Sequence, residues 1–353
     1  MKSNYSSRGS SLNTQNRFLK TVYTREHEEG IDLPEEQDDQ CTSYLEVFPK
    51  SIVNKVTSPD VGMDYSLNPY QGCEHGCAYC YARNSHEYWG YSAGADFERK
   101  ILVKRNAPDL LRKKLDGKNW VVKPISLSGN TDCYQPIERK LKITRELLEV
   151  FLEYQQPVGV ITKNALIQRD LDILEALNST RLIRVYISIT TLNEDLRRRL
   201  EPRTASTKKK LETIEKLSAT GVPVGVMMAP IVAGLNSHEI FPLVEEVANR
   251  GALSVGYTML RLNGRLDAIF KDWVERNYPD RRNKILGQVS HTHGGSLNES
   301  RFGVRMKGEG SFAEMVKNSM SLARKKYGVK NEFPELNTSL IKRPQRGQLD
   351  LWP

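Results

Sequence analysis

Short apolar segments alternate with amphipathic segments from about residue 120 to residue 262 of this chain. The apolar segments have the length of buried strands, and the segments between them repeat apolar residues at the spacing of a helix that covers one face. The predicted strands are 120–127, 158–162, 184–189, 222–231 and 253–260, and the predicted helices are 141–154, 170–177, 208–219 and 238–250. A sixth strand is expected next to Asn68.

Strands that alternate with helices in this order predict βαβ units and a parallel sheet. Six such units are too few for a closed eight-stranded barrel. We therefore predict an α/β fold, a partial parallel (β/α) barrel of the TIM-like kind, with a C-terminal extension. Because chemistry in barrels sits at the carboxyl ends of the strands, the segments 129–133, 162–164, 188–191 and 229–235 are expected to meet.

The pattern divides the chain into three regions. Residues 1–45 are rich in Ser, Asn and acidic residues, which is typical of a flexible polar tail. Residues 46–265 form the predicted partial barrel. In residues 266–353 the alternation fades, and only an amphipathic helix at 312–327 stands out in this C-terminal extension.

Composition adds expectations about location and partners. No apolar run reaches the roughly 18 residues of a membrane span, and the polar N-terminus lacks the apolar core of a secretory signal. We expect a cytoplasmic protein with no membrane partner. The net charge is +9, and residues 271–353 carry sixteen Lys/Arg against nine Asp/Glu. This asymmetry permits a nucleic-acid partner, and a solvated basic face is the alternative.

Three of the five cysteines, Cys73, Cys77 and Cys80, fall within eight residues, with three and then two residues between them. Such clustering in a long chain favours metal ligation over a disulfide framework. Three thiolates on a four-iron cluster leave one iron open for a substrate or cofactor. A structural zinc site usually takes four ligands, and His75 is a candidate for the fourth. Both hypotheses remain: an iron–sulfur enzyme, or a zinc-binding nucleic-acid module without catalysis.

The cysteine spacing, with the aromatic Tyr79 before the last cysteine, resembles the signature of the radical S-adenosylmethionine superfamily. Later segments resemble its spore photoproduct lyase-like branch. They are Thr162-Lys163-Asn164, Ser188-Ile189-Thr190, Glu201-Pro202-Arg203-Thr204 and residues 225–231.

The resemblance implies two cofactors, a [4Fe–4S] cluster and S-adenosylmethionine. The cluster would cleave S-adenosylmethionine reductively, and the 5′-deoxyadenosyl radical would abstract hydrogen from a substrate that the sequence does not identify. A reductant protein such as flavodoxin or ferredoxin would supply the electron. A lyase that repairs thymine photoproducts in DNA is the more specific alternative.

The resemblance also implies roles for individual residues. Cys73, Cys77 and Cys80 would hold the cluster. Six side chains are candidates for binding S-adenosylmethionine: Tyr79, Thr131, Asp132, Lys163, Ser188 and Arg203. Tyr79 would pack on the adenine, and Lys163 would pair with the carboxylate. Each of the six also has an ordinary structural alternative, such as a turn for Asp132 or an ion pair with Glu201 for Arg203.

Cys133 is the candidate for a catalytic thiol. By resemblance to the lyase, a further cysteine would donate a hydrogen atom to the product radical. Cys133 stands a few positions after the place that the lyase pattern predicts, which is nearer Gly129. The alternative is a small apolar residue packed in the core, a common role of a free cysteine.

Overall fold

The computed structural model describes residues 9–19 and 41–344 of the chain. These residues form ten strands and eleven α-helices. The strands are β1 (Ser43–Glu46), β2 (Val53–Lys55), β3 (Tyr65–Leu67), β4 (Tyr70–Gln71), β5 (Lys100–Val103), β6 (Ile125–Leu127), β7 (Val158–Thr162), β8 (Ile183–Ser188), β9 (Val224–Ile231) and β10 (Ser254–Met259). The helices are α1 (Ala95–Arg99), α2 (Ala107–Leu115), α3 (Glu138–Leu141), α4 (Ile143–Glu153), α5 (Leu171–Ser179), α6 (Glu194–Leu200), α7 (Thr207–Ala219), α8 (Ile240–Ala248), α9 (Leu266–Asn277), α10 (Arg282–His291) and α11 (Gly310–Lys326). None of the described helices is long and apolar enough to cross a membrane.

The main sheet has seven strands in the order β10-β9-β8-β7-β6-β3-β2. The six strands from β3 to β10 in this sheet run parallel, and β2 pairs antiparallel with β3 at one edge. This arrangement confirms the predicted partial parallel barrel, including the sixth strand before the cysteines. Because all six parallel strands point the same way, the loops that follow them gather at one end of the sheet.

Apolar side chains on both faces of the strands explain why the sheet is buried. Val158 and Val160 on β7, and Val185 and Ile187 on β8, belong to one large core that also includes the inner faces of the flanking helices. Parallel strands covered on both faces read as near-continuous apolar runs, which is the pattern that the sequence contains. The predicted strand 120–127 is shorter in the structure, because Trp120 packs on Tyr65 outside the sheet instead of continuing β6.

A second, three-stranded sheet was not predicted from the sequence. In it β5 lies between β1, which runs parallel to it, and β4, which runs antiparallel. Strand β4 ends at Gln71, and one residue, Gly72, separates it from the first cysteine of the motif. The small sheet therefore fixes the start of the cysteine loop.

Parts of the predicted flexible tail, residues 1–45, pack against the rest of the structure. Gly9, Ser10 and Asn16 are buried, and residues 43–45 pair with β5 as part of β1. Residues 9–17 are held by hydrogen bonds and a close backbone contact. Because apolar side chains contribute little to this packing, the apolar pattern of the sequence did not indicate it. Residues 1–8 and 20–40 of the predicted tail lie outside the described residues.

The C-terminal extension packs in two places. Helices α9 and α10 contribute Phe270, Trp273 and Ile285 to a second apolar core that also contains Cys77 and Tyr79. Helix α11 packs against α8 on the outside of the barrel. The predicted boundary at residue 265 therefore falls in a loop, and the helices just beyond it share a core with the cysteine loop.

The segment after α11 crosses the end of the sheet opposite to the cysteine loop. The backbone N–H of Asn331 donates to Leu253, that of Asn337 to Arg181 and that of Lys342 to Tyr154. On the way, the ring of Phe333 packs on Tyr186 and under the Arg184 guanidinium. A Cβ atom at Gly225 would lie 2.7 Å from the Phe333 ring, so this ring occupies the space that the glycine leaves. The segment covers the amino-terminal ends of the strands.

We expect that Phe333→Ala lowers the free energy of unfolding by about 2 kcal/mol, because a half-buried ring leaves a gap beside Gly225 and the barrel end opens to water. Urea unfolding of the purified protein measures this loss. The matched control is Phe302→Ala, since Phe302 is 59% exposed. Equal stability of the two variants would contradict the account of the C-terminal segment.

Candidate active site

The cysteine loop runs from Gly72 to Cys80 at the carboxyl end of the sheet. The backbone N–H of Cys73 donates to the Phe97 carbonyl at 2.8 Å, and that of Ala78 donates to the Leu200 carbonyl at 3.0 Å. Gly72 has a φ angle of 80°, in the left-handed region, and a Cβ there would lie 2.9 Å from the Lys100 carbonyl oxygen. The loop therefore depends on glycine where it packs on the end of α1.

The three cysteine side chains lie together in this loop. Cys73 and Cys77 are each 7% exposed and belong to two different apolar groups, and Cys80 packs against both groups. Burial raises the pKa of Cys77 well above its usual value, and the neighbouring thiolates of Cys80 and Cys73 raise it further, while Lys163 lowers it. Three neighbouring thiols, of which Cys73 and Cys77 are buried and Cys80 is partly exposed, are a suitable donor set for a cationic metal centre.

Asp132 connects this loop to the ends of two strands. Its carboxylate accepts hydrogen bonds from the Thr162 hydroxyl at 2.7 Å, the Lys163 backbone N–H at 2.8 Å and the Tyr134 backbone N–H at 2.9 Å. The His75 Nδ1 atom lies 3.4 Å from the same carboxylate. Burial raises the pKa of Asp132, but His75 outweighs it and holds the pKa at about 2. These four contacts occupy both carboxylate oxygens, so Asp132 positions the loop, and its predicted contact with S-adenosylmethionine stays a prediction.

His75 is buried inside the loop, and both of its ring nitrogens have partners. Nδ1 faces Asp132, and Nε2 lies 3.2 Å from the side-chain amide of Asn164. Burial lowers the pKa of His75, but the Cys73 thiolate and Asp132 raise it to about 10. Because the ring is engaged on both sides, it is poorly placed to serve as the fourth ligand of a zinc ion.

Lys163 leaves the end of β7 and faces the cysteines. Its Nζ atom lies 5.9 Å from the centre of the Tyr79 ring, and it makes no ion pair with the described residues. Burial lowers the pKa of Lys163, but the negative charges of Glu201, Cys77 and Asp132 outweigh it and raise the pKa. The result is a protonated ammonium beside the thiols that has hydrogen-bonding capacity left for an anion.

The hydroxyl of Tyr79 is held by a buried ion pair. Its hydroxyl donates to Glu201, and lies 3.1 Å from the Thr190 hydroxyl. The other carboxylate oxygen of Glu201 pairs with Lys210 at 3.0 Å, and both of these side chains have at most 1% of their surface exposed. The Tyr79 ring is thereby fixed in one orientation, at the wall between the cysteine loop and β8.

Ser188 and Thr131 line the same end of the sheet. Ser188 is the last residue of β8, and its buried hydroxyl makes no hydrogen bond within the described residues. The Thr131 hydroxyl donates to the Tyr70 carbonyl at 3.0 Å. Ser188 therefore stays a candidate for contacting a cofactor, whereas Thr131 ties the loop after β6 to the strand before the cysteines.

Arg203 pairs within the loop instead of with Glu201. Its guanidinium lies 3.2 Å from the carboxylate of Glu74, and its backbone N–H donates to the His75 carbonyl at 3.3 Å. The Glu201 carboxylate faces Lys210, as described above. Arg203 thus braces the outer edge of the cysteine loop, and about a third of its side chain stays exposed.

Cys133 follows Asp132 in the chain and lies in the main core. It has no exposed surface and packs among the apolar residues of the large core. Burial raises the pKa of its thiol well above the usual value. A hydrogen-atom donor must touch the substrate radical, and in this structure the Cys133 thiol has no accessible surface. Its surroundings are those of the packing alternative, and its catalytic role stays a prediction.

Several residues of the site were missed by the sequence analysis. They are Glu74, Arg83, Glu98, Thr190, Lys210 and Asn236. Thr190 and Asn236 connect the ends of β8 and β9, because the Asn236 side chain donates to the carbonyls of Thr190 at 2.7 Å and of Pro230 at 3.0 Å. Lys210 sits in a run of three lysines, which hid the one that is buried. In the sequence, only Glu201, the first residue of the motif Glu201-Pro202-Arg203-Thr204, could have indicated a buried partner such as Lys210.

The donor set suits a cluster better than a single ion. Among residues 9–19 and 41–344, no three His, Cys, Asp or Glu side chains converge as the ligands of one ion would. In an iron–sulfur cluster each cysteine binds a different iron, so three sulfurs stand around the cluster and need not converge on one point. Cys73, Cys77 and Cys80 fit this requirement, with Lys163 and Tyr79 beside them.

Comparison with known proteins identifies the class. The family model of the radical SAM superfamily matches residues 67–247, about half of the chain. This chain belongs to the radical SAM superfamily, whose members are enzymes that typically use a [4Fe–4S] cluster and S-adenosylmethionine.

Two relatives have no assigned activity. An uncharacterized protein of Mycobacterium tuberculosis is 30% identical over 241 residues, which cover 67% of this chain and 71% of that protein. An uncharacterized protein of Methanocaldococcus jannaschii is 28% identical over 237 residues, covering 67% of this chain and 84% of that protein.

Among solved structures, spore photoproduct lyase complexed with dinucleoside spore photoproduct is similar. It superposes with a TM-score of 0.59 and 17% sequence identity, over 80% of this chain and 79% of the lyase. At this identity the likeness shows a shared fold. It agrees with the open, mostly parallel sheet of this chain.

The Glu201–Lys210 pair generates a stability prediction. Burial raises the pKa of Glu201, but Lys210 and Lys163 outweigh it and hold the pKa at about 2. In the unfolded chain a glutamate titrates near 4.3. The ionised carboxylate therefore stabilises the fold above about pH 5, and this contribution is lost as the pH falls toward 2.

We expect that Glu201→Gln lowers the free energy of unfolding at neutral pH by about 3–5 kcal/mol, because it leaves the Lys210 ammonium buried without its partner. The double variant Glu201→Gln/Lys210→Met removes both charges and should recover most of the loss. Urea unfolding of the cluster-free protein provides the comparison. A double variant no more stable than the single one would rule out the ion pair as the cause.

Proposed function

We propose that this protein holds a [4Fe–4S] cluster through Cys73, Cys77 and Cys80 and cleaves S-adenosylmethionine reductively. When bound, the cluster supplies one electron to the sulfonium, which breaks the S–C5′ bond into methionine and a 5′-deoxyadenosyl radical that takes a hydrogen atom from the substrate. The observation that carries the proposal is the grouping of three thiols in one loop, two of them buried, beside the Lys163 ammonium, which makes no ion pair with the described residues.

The neighbouring residues have distinct tasks in this proposal. Lys163 offers a positive charge to the carboxylate of the methionine moiety, and Ser188 offers a free hydroxyl at the end of β8. The Tyr79 ring, fixed by Glu201 and Thr190, provides a flat wall for the adenine. Asp132 and Arg203 hold the loop in place. A reductant protein such as flavodoxin or ferredoxin would deliver the electron from outside.

The direct test is an anaerobic assay on protein reconstituted with iron and sulfide. With dithionite and S-adenosylmethionine, we expect wild-type protein to form 5′-deoxyadenosine, and the variant with Cys73, Cys77 and Cys80 all changed to Ala to form none. The matched control is Cys41→Ala, because Cys41 is exposed and outside the loop. A fully loaded wild type that forms no more product than the triple variant would count against the proposal.

A second candidate is a lyase that acts on nucleic acid, and one observation favours it. A cleft of about 650 Å³ beside the cysteine loop is lined by cationic side chains and by no acidic one. The cationic residues are Arg139, Lys140, Arg169, Arg203 and Lys209. Arg169, Arg203 and Lys209 pair with carboxylates outside the lining, whereas Arg139 and Lys140 make no ion pair with the described residues. Part of the basic excess in residues 271–353 is used elsewhere, since Arg281 donates to the Gly234 carbonyl and Arg282 pairs with Glu275.

This candidate predicts oligonucleotide binding that weakens as salt increases. Reversing two charges of the cleft, Arg139→Glu/Lys140→Glu, should reduce the slope of log affinity against log salt by about 2, because two phosphate contacts are lost. Lys325→Glu/Lys326→Glu, on exposed positions of α11, changes the net charge equally and should leave the slope unchanged. Equal effects of both variants would indicate general attraction to a basic protein and would remove the support for this candidate.

A further inference from the structure

The N-terminal strap, defined here as residues 9–17, lies against the outer side of the cysteine loop. Its first residue approaches the loop so closely that a Cβ on Gly9 would lie 1.7 Å from the carbonyl oxygen of Gly76. The backbone N–H groups of Gly9 and Ser10 donate to the two carboxylate oxygens of Glu98, at 3.1 and 2.8 Å. Both strap residues are buried, so these contacts exclude water from this side of the loop.

Glu98 in turn connects the strap to a cysteine. Its carboxylate pairs with the Arg83 guanidinium, and neither side chain has exposed surface. Arg83 Nε donates to the carbonyl of Cys77 at 3.0 Å. One carboxylate and one guanidinium therefore join the strap backbone to the backbone of the second cysteine. A buried pair of this kind depends on all its hydrogen bonds, because an unsatisfied buried charge is costly.

The rest of the strap is fastened on both sides of the loop. The Leu12 carbonyl accepts from the Ala95 N–H at 2.9 Å, and the Asn16 side chain donates to the carbonyls of Glu87 and Tyr91 at 2.8 and 2.9 Å. Ser11 donates to Asp272 of α9. The strap thus joins the segment after the cysteines to the C-terminal extension.

We propose that the N-terminal strap is a positioning element of the cluster site, which fixes the backbone at Gly76 and Cys77 and keeps water from the outer side of the cluster. This inference rests on the proposed function, because it takes the three cysteines to hold the cluster. A cluster with three thiolates becomes more negative on reduction, and water stabilises the more negative form. Excluding water therefore keeps the reduction potential low, as transfer of an electron to a sulfonium requires.

The first experiment removes the strap by deleting residues 1–17. After anaerobic reconstitution, we expect the truncated protein to bind iron, to bleach several-fold faster in air than the full chain, and to have a higher midpoint potential in a titration followed by electron paramagnetic resonance. A bleaching rate and a potential equal to those of the full chain would overturn the proposal. A full-length chain that binds no cluster would instead refute the proposed function, so the two failures are distinguishable.

The second experiment tests the positioning role of the strap even if the truncated chain does not fold. Gly9→Ala keeps the chain length and forces the strap away from Gly76, whereas Gly287→Ala adds the same methyl group where no atom lies within 4 Å. In the cluster-free proteins, a chromogenic thiol reagent should modify the loop cysteines several-fold faster in Gly9→Ala than in Gly287→Ala. Equal rates, with circular dichroism showing both variants folded, would contradict the positioning role.

Discussion

Three thiols must be held in one place by a loop with little regular structure of its own, and the rest of the site depends on this constraint. Three charged side chains, one of them fully buried, hold the loop from three directions. Asp132 holds the loop from the ends of β6 and β7, Arg203 braces it through Glu74, and Arg83 joins it to Glu98. The contacts of these side chains hold the loop in place, as backbone hydrogen bonds would in a helix or a strand. Ion pairs in such positions contribute conformational specificity more than stability.

The parallel sheet could be predicted because its signal is local. A buried parallel strand is a short apolar run, and β7 begins and ends where that run does. The cysteine motif is also local, since its three members lie within eight residues. Residues whose partners are distant in sequence gave no such signal. Glu98 contacts Ser10, eighty-eight positions away, and nothing near either residue indicates this pairing.

The differences between sequence and structure have physical causes. Residues 9–17 carry few apolar side chains, so they resemble a solvated tail, yet their backbone N–H groups and a glycine make the contacts. Helix α9 was missed because charged residues surround Trp273, although Ile269, Phe270 and Trp273 share one buried face. Cys133 was considered for catalysis from its position along the chain. Its burial depends on how the whole core packs, so the sequence around it did not indicate this burial. The structural alternative for Arg203 was an ion pair with Glu201, which is close in sequence, whereas the structure pairs Arg203 with Glu74.

The most direct measurement of the central claim is the electron paramagnetic resonance spectrum of the reduced, iron-reconstituted protein, recorded before and after addition of S-adenosylmethionine. If three cysteines hold a four-iron cluster with one open iron, the reduced wild type gives a cluster signal that changes when S-adenosylmethionine binds. A protein that takes up zinc and refuses iron, or a cluster signal that does not respond to S-adenosylmethionine, would contradict the account.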